Sequence, residues 1–256
     1  MLLKKRVISI DVSVGSYKDF LTEILNLAKK KQSNYVCVAN VHMLIEAYDN
    51  PSYREIVNNA TITTPDGMPI VFYLKFIYKI NQERVAGMDL FPDLLQKAAE
   101  QNLKVFLYGS TEEVLNKIVR KAKQIYPNLN IVGTYSPPFR PLTSSEKKYI
   151  INLINKLEPH IVFVSLGCPK QEKWMAEMYG QINSLMIGVG GAFPVFAGIQ
   201  KRAPKWMQKL ALEWFYRFLQ EPRRLSKRYI YTNTKFLFLL TKDLLKPFLK
   251  KGDFNG

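Results

Sequence analysis

The sequence predicts an α/β fold with a mainly parallel sheet flanked by helices and a basic helical appendage at its C-terminal end. Short apolar runs rich in β-branched or aromatic residues alternate with longer amphipathic segments, as in α/β domains. Most of these runs lack apolar/polar alternation, as strands covered on both faces do. Positive charge is concentrated after residue 200. We therefore expect an α/β catalytic core at 1–200 and a basic amphipathic appendage at 201–256.

The predicted elements follow from this periodicity. The strands are the short apolar runs at 7–10, 35–39, 61–63, 104–108, 131–134, 161–165 and 185–189. The helices are the amphipathic stretches at 17–30, 43–58, 69–78, 90–101, 111–126, 144–157, 171–179 and 202–217. Capping boxes at Ser110-x-x-Glu113 and Thr143-x-x-Glu146 predict two helix starts, because hydroxyl and carboxylate satisfy free backbone N–H groups reciprocally. The strand and helix order predicts a Rossmann-like sheet.

The net charge predicts an anionic partner. Lys and Arg number 37 against 21 Asp and Glu, a formal charge of +16, and residues 201–256 hold 14 of the basic and 4 of the acidic residues. Such a field attracts nucleic acid, an anionic bilayer surface or a diphosphate substrate, and charge alone does not choose among them.

Composition excludes several classes of protein. No segment reaches the roughly 18 to 20 uninterrupted apolar residues that span a bilayer. At the N-terminus the basic residues follow the apolar ones, so no signal-peptide pattern develops. Cys37 and Cys168 are too few and too far apart for a disulfide framework or a Cys-rich zinc site, which favours a reduced cytoplasmic setting.

Glycines follow several predicted strands. Gly109, Gly167, Gly190 and Gly191 lie where a strand leads into a helix or loop, and N–H groups at helix starts bind anions when glycine allows close approach. A role as simple turn residues is about equally consistent with each glycine. Neither G-x-G-x-x-G nor G-x-x-x-x-G-K-[ST] occurs, so a nucleotide would bind by other means.

Asp66 is the candidate general base. It follows a predicted strand within Thr63–Pro69, near Asn40 at the end of another strand, although a turn or capping role would also explain an Asp-Gly pair. His42 competes for the role of base, but without a second His or Cys at metal spacing a capping or core role is favoured. His160 is expected to be structural.

The appendage combines arginines with apolar residues. Arg217, Arg223, Arg224 and Arg228 are suited to phosphate, because the planar guanidinium donates two parallel hydrogen bonds. Beyond them, Phe and Leu alternate with Lys over residues 235–251. This pattern is typical of an interfacial membrane helix, or of a solvated basic face over an ordinary core stripe.

These residues occur in motifs that resemble the WecG/TagA/CpsF glycosyltransferases, glycosyltransferase family 26, over nearly the whole chain. The core motifs are ANVHM at 39–43, TPDGMP at 64–69, ERVAGMDL at 83–90, GCPKQE at 167–172 and GVGGAF at 188–193. The appendage adds AG at 197–198, RAP at 202–204, LEW at 212–214, Arg217 and EPRRL at 221–225.

The resemblance implies transfer of a sugar, N-acetylmannosamine or a related hexose, from a UDP-sugar to an undecaprenyl-diphosphate-linked acceptor. Transfer would proceed with inversion, on the cytosolic membrane face, in bacterial surface polysaccharide synthesis. Asp66 would be the general base. Asn40, Arg84 and Gln171 match positions that line the cleft, and the arginines would neutralise phosphate charge. The sequence departs from the family at Val38, where threonine is common.

The resemblance also implies that no metal or other cofactor is used, because the family lacks a D-x-D metal motif. Relatives often form homo-oligomers, and their basic tail is thought to close the active site at the membrane. A non-catalytic protein that binds nucleic acid or anionic lipid is the alternative, motivated by the charge. An epimerase is disfavoured by the missing dinucleotide fingerprint, and nucleic acid is not an expected partner of the enzyme.

Overall fold

The computed structural model describes residues 2–249, except for the side chains of Lys209, Arg224 and residues 246–249. The strands are β1 (Leu3–Val7), β2 (Ile10–Val14), β3 (Asn34–Ala39), β4 (Ile62–Pro65), β5 (Lys104–Gly109), β6 (Asn130–Tyr135), β7 (Ile161–Ser165) and β8 (Leu185–Gly188). The core helices are α1 (Tyr17–Lys29), α2 (Val41–Asp49), α3 (Pro51–Asn58), α4 (Met68–Tyr78), α5 (Gly87–Glu100), α6 (Glu112–Ile125), α7 (Ser144–Leu157), α8 (Lys170–Met178) and α9 (Ala192–Phe196). The appendage contributes α10 (Lys205–Lys209), α11 (Glu213–Gln220) and α12 (Pro222–Leu249).

Six strands form one parallel sheet in the order β4-β3-β8-β7-β5-β6. All of them therefore end at the same edge, which collects the loops that follow them. The mixed α/β class with a parallel sheet flanked by helices, and the C-terminal helix, are confirmed.

The sheet is covered on both faces, so two hydrophobic clusters form its core. Alternate residues of one strand enter different clusters, because successive side chains point to opposite faces. In β5, Phe106 and Tyr108 join the cluster that includes α2, α3, α4, α7 and α8. Val105 and Leu107 join the cluster that includes α1, α5, α6 and α9.

The predicted strand at 7–10 is wrong. Residues 8 and 9 form the turn between β1 and β2, which pair antiparallel in a separate two-stranded sheet. Val7 and Ile10 are both fully buried, so the apolar run spans two strand ends rather than one strand. Ile8 adopts φ 55° in this turn, a conformation that no Gly or Asn signals in the sequence.

Two predicted helix boundaries also need correction. The stretch 43–58 is two helices, because Pro51 cannot donate the next helical hydrogen bond and Asn50 instead caps α3 through its side chain. Helix α6 is capped by Thr111, whose hydroxyl accepts from the N–H of Val114, and not by Ser110. Ser110 has φ 62°, which places it before the cap. The capping box at Thr143 and Glu146 is confirmed.

The appendage is helical, but 202–217 is not one helix. Ala211, with φ 61°, lies between α10 and α11. Helix α12 lies on α2 and α4. Its inner face buries Leu225, Thr232, Phe236 and Leu239.

Polar contacts hold α12 in place on the core. The hydroxyl of Tyr73 donates to Asp243 at 2.7 Å, and that of Tyr231 donates to Asp49 at 2.6 Å. Lys235 also pairs with Asp49. The inner face of α12 is therefore an ordinary core stripe, one of the two arrangements that the sequence allows. Within residues 2–249, no helix combines the length and the apolar character that crossing a bilayer requires.

Gly109 shows why glycine is needed where β5 meets β7. Its φ is 102°, and a Cβ there would lie 2.5 Å from the carbonyl oxygen of Ser165. We expect Gly109→Ala to lower the free energy of unfolding by about 3 kcal/mol, measured by urea denaturation. Gly180→Ala is the matched control, because Gly180 has φ 80° and a Cβ there would meet nothing within 4 Å. Its cost is about 1 kcal/mol. Equal losses in the two variants would contradict the proposed overlap.

Candidate active site

A cavity of about 980 Å³ lies at the carboxyl edge of the sheet. This volume is at the upper end of the roughly 300–1,000 Å³ typical of ligand sites. Residues that follow β3, β4, β7 and β8 form one side of the cavity, and α11 and α12 of the appendage form the opposite side. Of the predicted site residues, it is lined by Asn40, Asp66, Arg84, Gly167, Gln171, Gly190, Gly191, Arg217 and Arg228.

Asp66 follows β4 directly, and its backbone N–H donates to the carbonyl of Ala39 at the end of β3. Gly67 is the N-cap of α4, with no side-chain cap hydrogen bond, so Asp66 is not a capping residue. Its side chain is 22% exposed. Burial raises the pKa of Asp66, and the positive charge of Arg84 opposes that rise. A carboxylate with a raised pKa is a stronger base than an ordinary aspartate.

Arg84 is held beside Asp66 by the backbone around it. The N–H of Val85 donates to the carbonyl of Pro65, and the Thr64 hydroxyl donates to the carbonyl of Val85. From this position Arg84 Nη2 lies 3.1 Å from Asp66 Oδ1, and Arg84 Nε donates to the backbone carbonyl of Asp66. Among the described residues, no hydrogen bond reaches Asp66 Oδ2. That oxygen is free to accept a proton.

Asn40 and His42 bring two further polar side chains from the start of α2. Asn40 is the N-cap, and its Oδ1 accepts from the N–H of Met43 at 3.2 Å, so its NH₂ group is the part that can reach a ligand. His42 is therefore not the cap. It lines the cavity with Nε2 3.3 Å from Glu46 Oε1. Burial lowers the pKa of His42, Arg228 lowers it further, and Glu46 raises it.

Gln171 lies at the start of α8 and is only 4% exposed. Its Nε2 donates to Glu172 Oε1 at 2.7 Å, while its Oε1 is buried without a hydrogen-bond partner in the described structure. Tyr53 donates to the other oxygen of Glu172 at 3.0 Å. Glu172 is fully buried, and burial raises its pKa. Glu172 therefore fixes the amide of Gln171 so that a carbonyl oxygen lies at the cavity wall, ready for an O–H or N–H donor.

Two arginines of the appendage enter the cavity. Arg217 lies against Gly191, where a Cβ would be 3.1 Å from its Nη2, so the missing side chain admits the guanidinium. Arg228 lines the wall with a buried Nε that has no partner among the described residues. A buried guanidinium nitrogen without a partner points to an anionic ligand.

Two predicted binding residues are not brought to the cavity. Gly109 does not line it, although its neighbour Ser110 does. Arg223 is exposed in the first turn of α12 and is not among the lining residues. The side chain of Arg224 lies outside the described part of the chain.

The mouth of the cavity is apolar. Phe72 and Phe76 of α4 are 41% and 51% exposed, and Trp214 and Leu237 of the appendage are 45% and 60% exposed. All four line the cavity, and their exposure places them at its opening. An apolar opening around a cationic interior suits a ligand with an anionic head and a hydrocarbon tail.

Sequence reasoning missed two features of the site and undervalued a third. Ser110, predicted only as a helix cap, and Glu213, quoted only within the LEW motif, both line the cavity, and His42 faces it instead of capping α2. The strand end before Ser110 was a usable signal, whereas no periodicity or strand end points to Glu213. His160 is structural as expected, since its Nδ1 accepts from the N–H of Lys104 at 2.9 Å. Across residues 2–249, no three His, Cys, Asp or Glu side chains are grouped to hold a metal ion.

Comparison with known proteins gives consistent matches. The profile of the glycosyl transferase WecG/TagA/CpsF family matches residues 5–249. The chain is 35% identical over 192 residues to the N-acetylglucosaminyldiphosphoundecaprenol N-acetyl-beta-D-mannosaminyltransferase of Bacillus spizizenii, covering 74% of this chain and 72% of that protein. It is 32% identical over 217 residues to the protein of the same name from Bacillus subtilis, covering 84% and 82%.

The buried hydrogen bond from Tyr53 to Glu172 can be tested by measuring the stability of the protein. We expect Tyr53→Phe to lower the free energy of unfolding by about 1 to 2 kcal/mol, because Glu172 Oε2 loses its buried donor. Tyr149→Phe is the control, since that ring is 58% exposed, and its effect is within about 0.5 kcal/mol. Chemical denaturation at neutral pH measures both, and equal stability of the two variants would refute the role given to Tyr53.

Proposed function

The chain belongs to the WecG/TagA/CpsF family of glycosyl transferases, and from this premise we propose that it moves a sugar of the N-acetylmannosamine type from a UDP-sugar to an undecaprenyl-diphosphate-linked acceptor. The reaction inverts the anomeric configuration and serves bacterial surface polysaccharide synthesis. The observation that carries the proposal is Asp66, a carboxylate with one free oxygen in the same cavity as Arg217 and Arg228 of the appendage.

In the proposed step, Asp66 Oδ2 takes the proton of the acceptor hydroxyl. The hydroxyl oxygen attacks the anomeric carbon, and the bond from that carbon to the UDP oxygen breaks with its electron pair leaving on the β-phosphate. A single displacement of this kind inverts the configuration. The raised pKa of Asp66 supports the assignment, because an ordinary aspartate is a weak base near neutral pH.

Arg217 and Arg228 bind the diphosphate and stabilise the charge that develops on it. Both line the cavity, and Arg228 carries a buried nitrogen that is free to donate. Fixed cations in a partly dry site stabilise a leaving phosphate without reorganisation of solvent. We propose that these arginines make a metal ion unnecessary for transfer.

The names of the two Bacillus relatives guide the choice of sugars. Each names an N-acetylmannosaminyl group as the transferred unit and N-acetylglucosaminyldiphosphoundecaprenol as the acceptor. In this chain Val38 lines the cavity with a methyl group where the family commonly has a hydroxyl. The donor contact at that wall therefore differs, and N-acetylmannosamine and related hexoses are the donors to compare.

A second apolar face of α12 supports attachment to the inner face of the cell membrane. Ile230, Leu237, Phe238, Leu244 and Leu245 are exposed and recur at helical spacing, on a face that the core does not cover. Lysines 227 and 242 on the same helix are also exposed. Apolar and basic residues on one helix bind anionic lipid surfaces.

Membership of a transferase family favours an enzyme over a non-catalytic protein that binds nucleic acid or lipid. Homo-oligomer formation stays a prediction.

The base assignment is tested by turnover. We expect Asp66→Asn to lower kcat by about 10²- to 10⁴-fold, because the amide cannot take the acceptor proton. The assay is release of UDP from UDP-N-acetylmannosamine, UDP-N-acetylglucosamine and UDP-glucose, each with a lipid-diphosphate-linked N-acetylglucosamine acceptor. Asp11→Asn, a matched change in the β1–β2 hairpin, keeps wild-type turnover. Undiminished turnover in Asp66→Asn removes Asp66 as base, and loss of turnover in EDTA removes metal independence.

Membrane binding is tested by sedimentation with phosphatidylglycerol vesicles. We expect Ile230→Ser with Phe238→Ser to weaken binding by at least about tenfold, because two side chains lose their burial in the bilayer. The control is Phe139→Ser, an 88% exposed aromatic on the loop after the opposite edge strand β6. Equal binding of the double variant and the control would exclude this face of α12 from the membrane contact.

A further inference from the structure

A row of five alternating charges runs from the core through the appendage and back to the core. Asp66 pairs with Arg84, whose Nη1 lies 2.7 Å from Glu213 Oε2 on the first residue of α11. Glu213 Oε1 lies 3.2 Å from Arg202 Nε. Arg202 in turn makes a bidentate pair with Asp89 of α5, at 2.6 and 2.9 Å.

Glu213 is the buried centre of this row. Its side chain is 9% exposed, compared with 22% for Asp66 and for Arg84. A buried carboxylate is costly unless it is paired. Glu213 Oε1 accepts a hydrogen bond from Arg202, and Oε2 forms an ion pair with Arg84 that lacks hydrogen-bond geometry. This double pairing ties α11 to the core at the candidate base.

Glu213 also determines how Arg84 meets Asp66. The three guanidinium nitrogens of Arg84 are divided, with Nη1 on Glu213, Nη2 on Asp66 Oδ1 and Nε on the Asp66 carbonyl. An arginine free of Glu213 would form the bidentate pair that carboxylates favour, covering both oxygens of Asp66. With Glu213 in place, Oδ2 stays open to the cavity.

We propose that Glu213 is a positioning residue, which holds Arg84 on one oxygen of Asp66 and so completes the base only when α11 is in place on the core. The inference rests on the proposed role of Asp66 as base. It gives the appendage a part in the chemistry that is separate from phosphate and lipid contact.

The negative charge of Glu213 also favours Asp66 as a base, because it raises the pKa of Asp66. The charged groups that face Asp66 are Arg84 from the core and Glu213 and Arg217 from α11. After burial, which raises the pKa of Asp66 most, Arg84 lowers it, Glu213 raises it and Arg217 lowers it. Removing the negative charge of Glu213 therefore lowers the pKa of Asp66, and removing the positive charge of Arg84 raises it.

The test is the pH profile of kcat/KM in Glu213→Gln and Arg84→Gln. We expect the acidic limb to move down by about half to one pH unit in Glu213→Gln and up by a similar amount in Arg84→Gln. Turnover of Glu213→Gln falls by about tenfold or more, because the base is weaker and partly covered. Loss of a purely structural contact would lower activity without opposite movements of the limb. Unmoved limbs, or limbs that move in the same direction, overturn the inference.

Two further variants complete the design. Glu113→Gln, the same change on the exposed face of α6, keeps the wild-type profile. Glu213→Asp keeps the charge but is one methylene shorter, so we expect an unmoved limb with turnover between wild type and Glu213→Gln. If Glu213→Gln does not fold, as judged by thermal denaturation, Glu213→Asp decides alone: wild-type turnover or a displaced limb overturns the inference.

A direct titration separates this inference from the proposed function. Carboxyl ¹³C NMR follows Asp66 in the wild type and in Glu213→Gln, assigned by the signal missing in Asp66→Asn. A lowered Asp66 pKa in Glu213→Gln, together with an active Asp66→Asn, supports the electrostatic coupling and removes the base. An unchanged Asp66 pKa with an inactive Asp66→Asn keeps the base and removes the coupling.

Discussion

In the proposed reaction, the carboxylate of Asp66 has to remain ionised in a cavity that is partly shielded from water. Burial favours its protonated form, and a nearby cation is the ordinary means of opposing that tendency. Arg84 supplies the cation, but a full bidentate pair would occupy the oxygens that a base needs. The structure divides Arg84 between Asp66 and Glu213, so ionisation and accessibility are kept together. Glu213 and Arg217 both lie on α11, so the same pairing joins the helix that carries Arg217 to the core.

Elements of the fold could be predicted from the sequence where local sequence signals and tertiary packing favour the same structure. Helix α7 and strand β7 have the predicted bounds, because a capping box marks the first and an apolar run that ends at Ser165 marks the second. The run at 7–10 was misread since burial of Val7 and Ile10 results from a turn that packs on the core, which periodicity does not distinguish from a strand. Similarly, Pro51 marks a helix boundary, but the amphipathic pattern of 43–58 continues across it and predicts a single helix.

The site residues that could be predicted from the sequence are those at the ends of the parallel strands. Asp66, Asn40 and the glycines after β7 and β8 were found because parallel strands end at one edge. Arg84 and Gln171 were given a role only through the family resemblance, since neither lies directly at the end of a strand. Glu213 lies in the LEW motif of the resemblance, but its role could not be predicted because it depends on Arg84 and Arg202, which only the fold brings together. Gly109 was predicted to bind the nucleotide but does not line the cavity. Its close approach to Ser165 is sufficient to require glycine there.

The sequence leaves open whether the appendage carries a core stripe or a membrane face, and the structure shows the core stripe. Helix α12 is long enough to carry both, with Leu225, Phe236 and Leu239 turned to the core and Ile230 and Phe238 turned outward. Because Leu237 and Trp214 line the cavity beside α4, the proposed membrane face of α12 and the opening to Asp66 belong to the same part of the molecule. A lipid-linked substrate would then meet its diphosphate contacts and its base without leaving the membrane, which relates the two faces of α12 to one reaction.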